Sequence, residues 1–507
     1  MQLDLKKIPF GQGHSRHLLF EETDPLGHGF KKGFFLALAH VSVSLFAGLA
    51  VRPAGLVHLA PFSDSGALDI TADATPSQAV LNTDAGPIRF AIDGKALMMH
   101  SEGPGLRMTI ALGRGEAISK LDNGYVVNMG TTRYIIDIRK GSGDVSVQWD
   151  LVALHSTDPL LTLTPDEDGV LDVIFWDSDP TYAKADCAPD VDAAAEKAAA
   201  AFADFRAGLR GADEKNAYDF WVGYMACRGE ELLISNKIGD VKALTRNHLL
   251  AALALKRPAD VIAQICAALR LMKPSGLQPA WVTENSVIPE AAPPLWGLAL
   301  ERSGVAGAEP AALQECYALL KKAIGWWQRE RCAADGTFFY AYPHESGWTH
   351  APLLTESHPA VFPNLAGWMM MNFRALGHLA DALGLSEESE RWNALADGQL
   401  AVLRSLWDGQ CFVCRDLYSG AAVPCTEALS MLPLSLGTAL PEDIRGSLLS
   451  RTEFPSLSPL FACLIALGCP DLRKTILETD HALEHALSGA AYDPTTCALL
   501  LALEERS

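Results

Sequence analysis

The sequence predicts an N-terminal β-sandwich followed by an all-α toroid of helical hairpins, and three observations carry that expectation. Over residues 1 to about 180, short apolar runs such as "IRFAID", "GLRMTIALG", "GYVVNMG" and "TRYIIDIRKGSGD" recur between Gly, Asp and Asn turn signals. From about Asp190 onward, apolar residues recur at helical spacing instead. These helical stretches pair up across loops, and one loop of each pair is long and rich in Trp or Pro. That is the rhythm of repeats in which each hairpin buries its face only against its neighbours.

Taken in order, "FFLALAHVSVSLFAGLAV" (Phe34 to Val51) follows Lys31 and Lys32 and has the length of a membrane span. However, His40, Ser42 and Ser44 alternate with Val41, Val43 and Leu45, a period of two that predicts a buried strand pair. "VSVQWDLVAL" continues the strands, and "GVLDVIFWDSDP" (Gly169 to Pro180) reads as the last of them. The Ala-rich run Asp190 to Leu209, with Phe202 and Phe205 at helical spacing, predicts a connecting helix. The expected division is a β-sandwich over 1–185, a helical linker over 186–212 and a helical toroid over 213–507. Helical stretches in the last part include "RNHLLAALALKRPADVIAQICAALRLM", "PAALQECYALLKKAIGWWQRER", "PNLAGWMMMNFRALGHLADALG" and "SEESERWNALADGQLAVLRSLW". Trp326, Trp327 and Met369 to Met371 lie within them and read as core.

The balance of 41 Lys plus Arg against 61 Asp plus Glu gives a formal charge of −20. A surface that acidic repels phosphate backbones and anionic lipid, which argues against nucleic-acid and membrane partners. The 11 cysteines form no zinc-like pair of CxxC motifs, which favours reduced thiols and a cytoplasmic protein. The opening "MQLDLKKIPFGQG" does not read as a secretory leader. His481 and His485 have metal-pair spacing but no placed third ligand, so neither a metal nor an organic cofactor is expected.

Four loop segments concentrate polar and aromatic side chains: Leu277 to Leu300, the stretch ending "YPHESGWTHAPLL", Leu353 to Trp368, and "AAYDPTTCALLL". With "PPLWGLAL", "DGTFFYAYPHESGW" and "LGLSEESERWNALADGQLAVLRSLWD" in this order, residues 215 to 500 resemble glycoside hydrolase family 63 and the related mannosylglycerate-hydrolase-like and trehalase-like proteins. The resemblance implies a six-hairpin (α/α)6 barrel that cleaves α-glycosidic bonds with inversion. An inverting reaction needs one carboxyl to protonate the leaving oxygen and another to activate water, set ~6.5–9.5 Å apart. Where the resemblance implies the acid, directly after "ESGW", this chain has Thr349, whose hydroxyl cannot do a carboxylic acid's work.

The candidates for that chemistry are therefore Glu345 and Glu356 as displaced carboxylates and His350 as a group titrating near neutrality. Candidates for substrate contact are Trp281 and Trp296, with Trp368, as sugar-stacking rings, Trp348 and Tyr342 as pocket lining, and Glu284, Asp493 and Arg246, a planar fork of donors. The expected partner is a small carbohydrate or glycoside. Three functions stay open: an α-glycoside hydrolase, a carbohydrate-binding protein without catalysis, and a sugar isomerase or epimerase using His248, His350 and His358 as proton shuttles.

Overall fold

Glycine and aspartate turns cut the first part of the chain into strands, and the alternation of the pleat decides how they pair. The computed structural model describes residues 1–22, 33–44, 48–110, 112, 117–129, 132–147, 149–150, 155–156, 159–177, 187–228, 231–236, 242–283, 287–288, 290–347, 359–425, 427–450, 459–472 and 493–504. Two compact units result, one built on Met1–Ala207 with Tyr218–Ala226, the other on Gly208–Ala217 and most of the chain from Cys227 onward.

The first unit contains two antiparallel sheets. The seven-stranded sheet runs His17–Glu22, Gly33–Ser44, Gly48–Ser63, Gly105–Ile110, Leu160–Thr164, Ser142–Ser146, with Gly66–Ala67 beside the third strand. The eight-stranded sheet runs Ala117–Leu121, Gly124–Met129, Thr132–Lys140, Val170–Asp177, Ala96–Glu102, Gly86–Asp93, Ala79–Thr83, Thr71–Ala74. The stretch long enough for a membrane span is indeed a strand pair, with Phe34 opposite Leu59 and Ser42 opposite Ala50. Among the described residues, no helix is long and apolar enough to cross a membrane.

Leu161 and Leu163 are buried while their neighbours are not, as a half-covered strand requires. Ala96 to Met99 and Val173 to Asp177 are buried without alternation, because their sheet is covered on both faces. The helix Val191–Ala207 supplies the second cover. Its Val191 and Ala194 pack on Ala91, Met98, Ile174 and Trp176, and Lys197 pairs with Asp93 at 2.7 Å. A buried ion pair from Arg16 to Asp177 ties the N-terminal segment to the same sheet, with Arg16 Nε 2.7 Å from Asp177 Oδ2.

The second unit alternates two kinds of helix. Thr245–Ala251, Trp296–Ser303, Pro363–Ala382, the helical segment Glu427–Ala439, Pro459–Gly468 and Pro494–Glu504 are buried over most of their described residues. Pro258–Arg270, Pro310–Glu330, Ser386–Ser405 and Glu442–Leu449 are amphipathic and show charge to solvent. Each of the six buried segments touches the next, and the last, Pro494–Glu504, touches the first, Thr245–Ala251, which closes the ring. The segment read as one stretch from Arg246 to Met272 is in fact an inner helix and an outer helix. Pro258 begins the second, and the residue before a proline is driven out of the α region, so the hairpin turns there.

Inner helices approach closely where glycine allows it. A Cβ on Gly297 would lie 2.6 Å from Asn372 Cα, so only glycine lets the Trp296 and Pro363 helices meet backbone to backbone. Asn372 seals the contact: its Oδ1 accepts from Gly297 N–H at 2.7 Å, and its Nδ2 donates to Pro294 O at 2.7 Å and Trp368 O at 2.9 Å. Trp327 and Met369 to Met371 are core, as their spacing predicts.

Candidate functional site

Four consecutive inner helices bring their N-terminal turns and the loops before them to one end of the ring. The Thr245 helix is anchored there by its side chain, which donates to Pro279 O at 2.6 Å, and by its N–H, which donates to Ala280 O at 3.0 Å. Trp281 pairs in register with Leu244, so the "QPAW" segment lies beside Arg246. The Arg246 guanidinium donates to Gly347 O, and Nε donates to Asn247 Oδ1 at 3.1 Å. Gly347 has φ +75°, and a Cβ there would meet Arg246 Cδ at 3.0 Å and Pro293 Cγ at 3.1 Å. Three loops far apart in sequence therefore converge on one guanidinium. Burial lowers the Arg246 pKa to about 10, against the opposing attraction of Asp493, which lies at the start of the last inner helix.

Asp493 caps that helix, Oδ1 accepting from Thr495 N–H at 3.0 Å and Oδ2 from the Thr496 hydroxyl at 2.6 Å. Glu345 has a different setting. It is 1% exposed and takes a forked ion pair from Arg331, with Nη2 to Oε1 at 2.6 Å and Nε to Oε2 at 3.1 Å. Its Oε2 also accepts from Ala341 N–H at 2.7 Å and Tyr342 N–H at 3.4 Å. Those contacts order the turn at the mouth of the loop. Tyr342, at 57% exposure, points its ring outward with Arg331 5.8 Å from the centroid. Trp281 is half-buried and stacks under Lys242 at 4.6 Å. Trp296 is wholly buried, so its ring is core and is not an exposed sugar platform. Trp348, His350, Glu356, Glu284 and His358 lie outside the described residues, as do Thr349, His481 and His485.

His248 belongs to the core. Its Nδ1 accepts from Ile234 N–H at 3.2 Å and its Nε2 donates to Gln264 O at 2.8 Å, which uses both ring nitrogens. Burial lowers its pKa to about 4, partly offset by the bond to Gln264. A ring with both nitrogens engaged by backbone does not shuttle protons to a substrate, which removes one of the three histidines the isomerase reading needed.

No feature of residue spacing signals a set of buried polar atoms at the same end of the ring. Among the described residues, both ends of the Gln278 amide, Asn364 Oδ1, Trp296 Nε1 and Thr495 Oγ1 are buried without a hydrogen-bond partner. Each such atom costs about 1–3 kcal/mol of desolvation, so native chains seldom keep one without a use. Trp296, Asn364 and Thr495 stand in the first turns of three inner helices, and Gln278 sits one residue before the carbonyl that anchors the Thr245 helix. Among the described residues no group of His, Cys, Asp and Glu could hold a metal ion.

Residues 269–455 match the family model of the mannosylglycerate hydrolase MGH1-like glycoside hydrolase domain. No curated protein matches the chain. Among solved structures, a bacterial glucoamylase complexed with acarbose aligns with 98% of this chain and 94% of its own at 10% identity, TM-score 0.55. A glycosyl hydrolase of family 92 aligns with 96% of this chain and 75% of its own at 12% identity, TM-score 0.50. A family 63 mannosylglycerate hydrolase from Thermus thermophilus, in complex with Tris and D-glycerate, aligns with 56% of this chain and 98% of its own at 14% identity, TM-score 0.44. The fold is thus the expected one, an antiparallel β-sandwich followed by an (α/α)6 barrel of the glycosidase type.

Proposed function

We propose that this chain, with its glycoside hydrolase-like segment and barrel, binds a small α-linked glycoside at the N-terminal end of its inner helix ring and hydrolyses it with inversion. The observation that carries this reading is the collection of polar atoms on Gln278, Asn364 and Thr495, unpartnered among the described residues, at the same end of the ring as Arg246 and Asp493. A sugar offers hydroxyls in several directions, each both donor and acceptor, and such a ligand satisfies amide groups and a hydroxyl together. Asp493 is assigned the role of general base, taking a proton from the attacking water, with its carboxylate held in place by the Thr495 N–H and the Thr496 hydroxyl. Glu345 is assigned a positioning role, holding the turn whose Gly347 carbonyl fixes Arg246. The proton donor is assigned to Glu356 or Glu284, the candidate loop carboxylates that remain.

Calorimetry with monosaccharides and aryl α-glycosides, alongside a hydrolysis screen, tests this reading. Gln278→Met should weaken glycoside binding at least tenfold while raising unfolding stability by about 1 kcal/mol, since it removes an unsatisfied buried amide. Asp493→Asn should abolish turnover and leave binding within a few fold. Binding without turnover in the parent would reduce the reading to a carbohydrate-binding protein, and unchanged binding in Gln278→Met would remove the site.

A further inference from the structure

The opposite half of the ring contains a cavity. It has a volume of about 480 Å³ and is lined from the Leu253, Trp296, Pro363, Glu427 and Pro459 segments, mostly toward their C-terminal ends. That volume is in the range of small-molecule sites. Its lining holds three guanidiniums, Arg302, Arg374 and Arg445, against a single carboxylate, Glu301. Glu301 is already engaged, accepting from His378 Nδ1 at 2.8 Å. In a chain of charge −20, three cations facing one cavity is a local reversal of field.

The three arginines are not equivalent. Arg302 donates to Leu467 O at 3.4 Å and Ala502 O at 3.3 Å, which ties the ends of two neighbouring inner helices. Arg445 pairs with Glu442, its Nε 3.0 Å from Oε2. Arg374 has no hydrogen bond or ion pair among the described residues, yet it projects from the middle of an inner helix into the cavity wall. A second polar group lies beside it: Ser435 is 7% exposed, lines the same cavity, and its Oγ has no partner among the described residues. A guanidinium and a buried hydroxyl that have no partner among the described residues, flanked by two further arginines, are a set of donors suited to an anionic acceptor.

We infer that this cavity is a binding site for a small organic polyanion, a di- or tricarboxylate, with Arg374 and Ser435 as its principal donors. The cavity is too large for one inorganic anion and too rich in donors for an apolar guest. It does not depend on the sugar site, whose residues lie at the other ends of the helices.

Isothermal titration of the full-length protein with citrate at constant ionic strength, with inorganic phosphate and glycerol in parallel, tests the inference. Citrate should bind saturably, raise the melting temperature and outcompete phosphate, while glycerol should do nothing. Arg374→Gln should weaken citrate at least tenfold and Ser435→Ala several fold, with Arg404→Gln on the exposed surface unchanged. Should Arg374→Gln fail to fold, Ser435→Val, which places a methyl where the hydroxyl donor stood, serves the same purpose. Absence of saturable citrate binding, citrate affinity unchanged in either variant that folds, or phosphate binding without citrate binding would overturn it.

Discussion

Single residues here divide into those that hold the site and those that wait for a partner. Glu345 and Arg331 are the clearest pair of the first kind, with the carboxylate buried and the guanidinium forked across it. Breaking a buried pair strands a charge, so Arg331→Met should cost about 3–5 kcal/mol in urea unfolding, while the double change to Met and Leu should cost distinctly less. Equal losses in the single and double variants would show that the pair is not the cause. His248 gives a pH-dependent counterpart. Its folded pKa of about 4 lies below the ordinary 6.5, so the unfolded chain binds a proton that the folded chain refuses. Stability at this position is therefore full above pH 6.5 and falls as pH drops toward 4, by about 3 kcal/mol. His248→Gln, though less stable at pH 7, should lose that much less between pH 7 and pH 4, and an unchanged loss would rule out His248 as the source. The sequence reads "YPHESGW" as a candidate site loop, but the ion pair of Glu345 was not legible, because its partner Arg331 reads as an ordinary helix-end residue fourteen positions upstream.

Secondary-structure elements follow sequence period closely until two of them share a contact. Helices 310–330, 363–382 and 386–405 fall where the apolar spacing and the Pro and Ser starts place them. The strands at Ala96–Glu102 and Val170–Asp177 are less easily read, since the covering helix Val191–Ala207 erases their alternation. The Gly297 contact could not be read at all, because a glycine within "PPLWGLAL" looks like any tolerated helix glycine. Its neighbour across the interface is Asn372, whose amide spans both helices. Gly297→Ala forces a Cβ into backbone that cannot yield cheaply, and should destabilise by about 3 kcal/mol or more in place of alanine's usual helical gain. A neutral or stabilising outcome in thermal unfolding would mean that the two helices slide apart without loss.

At the scale of the whole helical unit, stability rests on ring closure. Each inner helix is buried over most of its length because it meets two inner neighbours and its outer partners, and the Pro494 helix completes the circuit against the Thr245 helix. Removing residues 493–507 should therefore leave the Thr245 and Pro459 helices with uncovered apolar faces, producing strong dye binding and a broadened transition. A sharp, parent-like transition in that truncation would show that closure is dispensable. The sequence by itself determined the order of a β part and a helical part, the hairpin rhythm, the acidic surface and the loops that carry the polar aromatic segments, because period, turn residues and charge are local properties of a chain. Only the tertiary structure decided that Arg246 bonds to Gly347 within the field of Asp493, that Trp296 is core, that His248 is a structural ring, and that Gln278, Asn364 and Thr495 keep buried polar atoms without a partner among the described residues. Those outcomes depend on which distant loops the closing ring brings to one end, and a hydrogen bond made or left unmade across a hundred residues leaves no mark in the spacing of either partner.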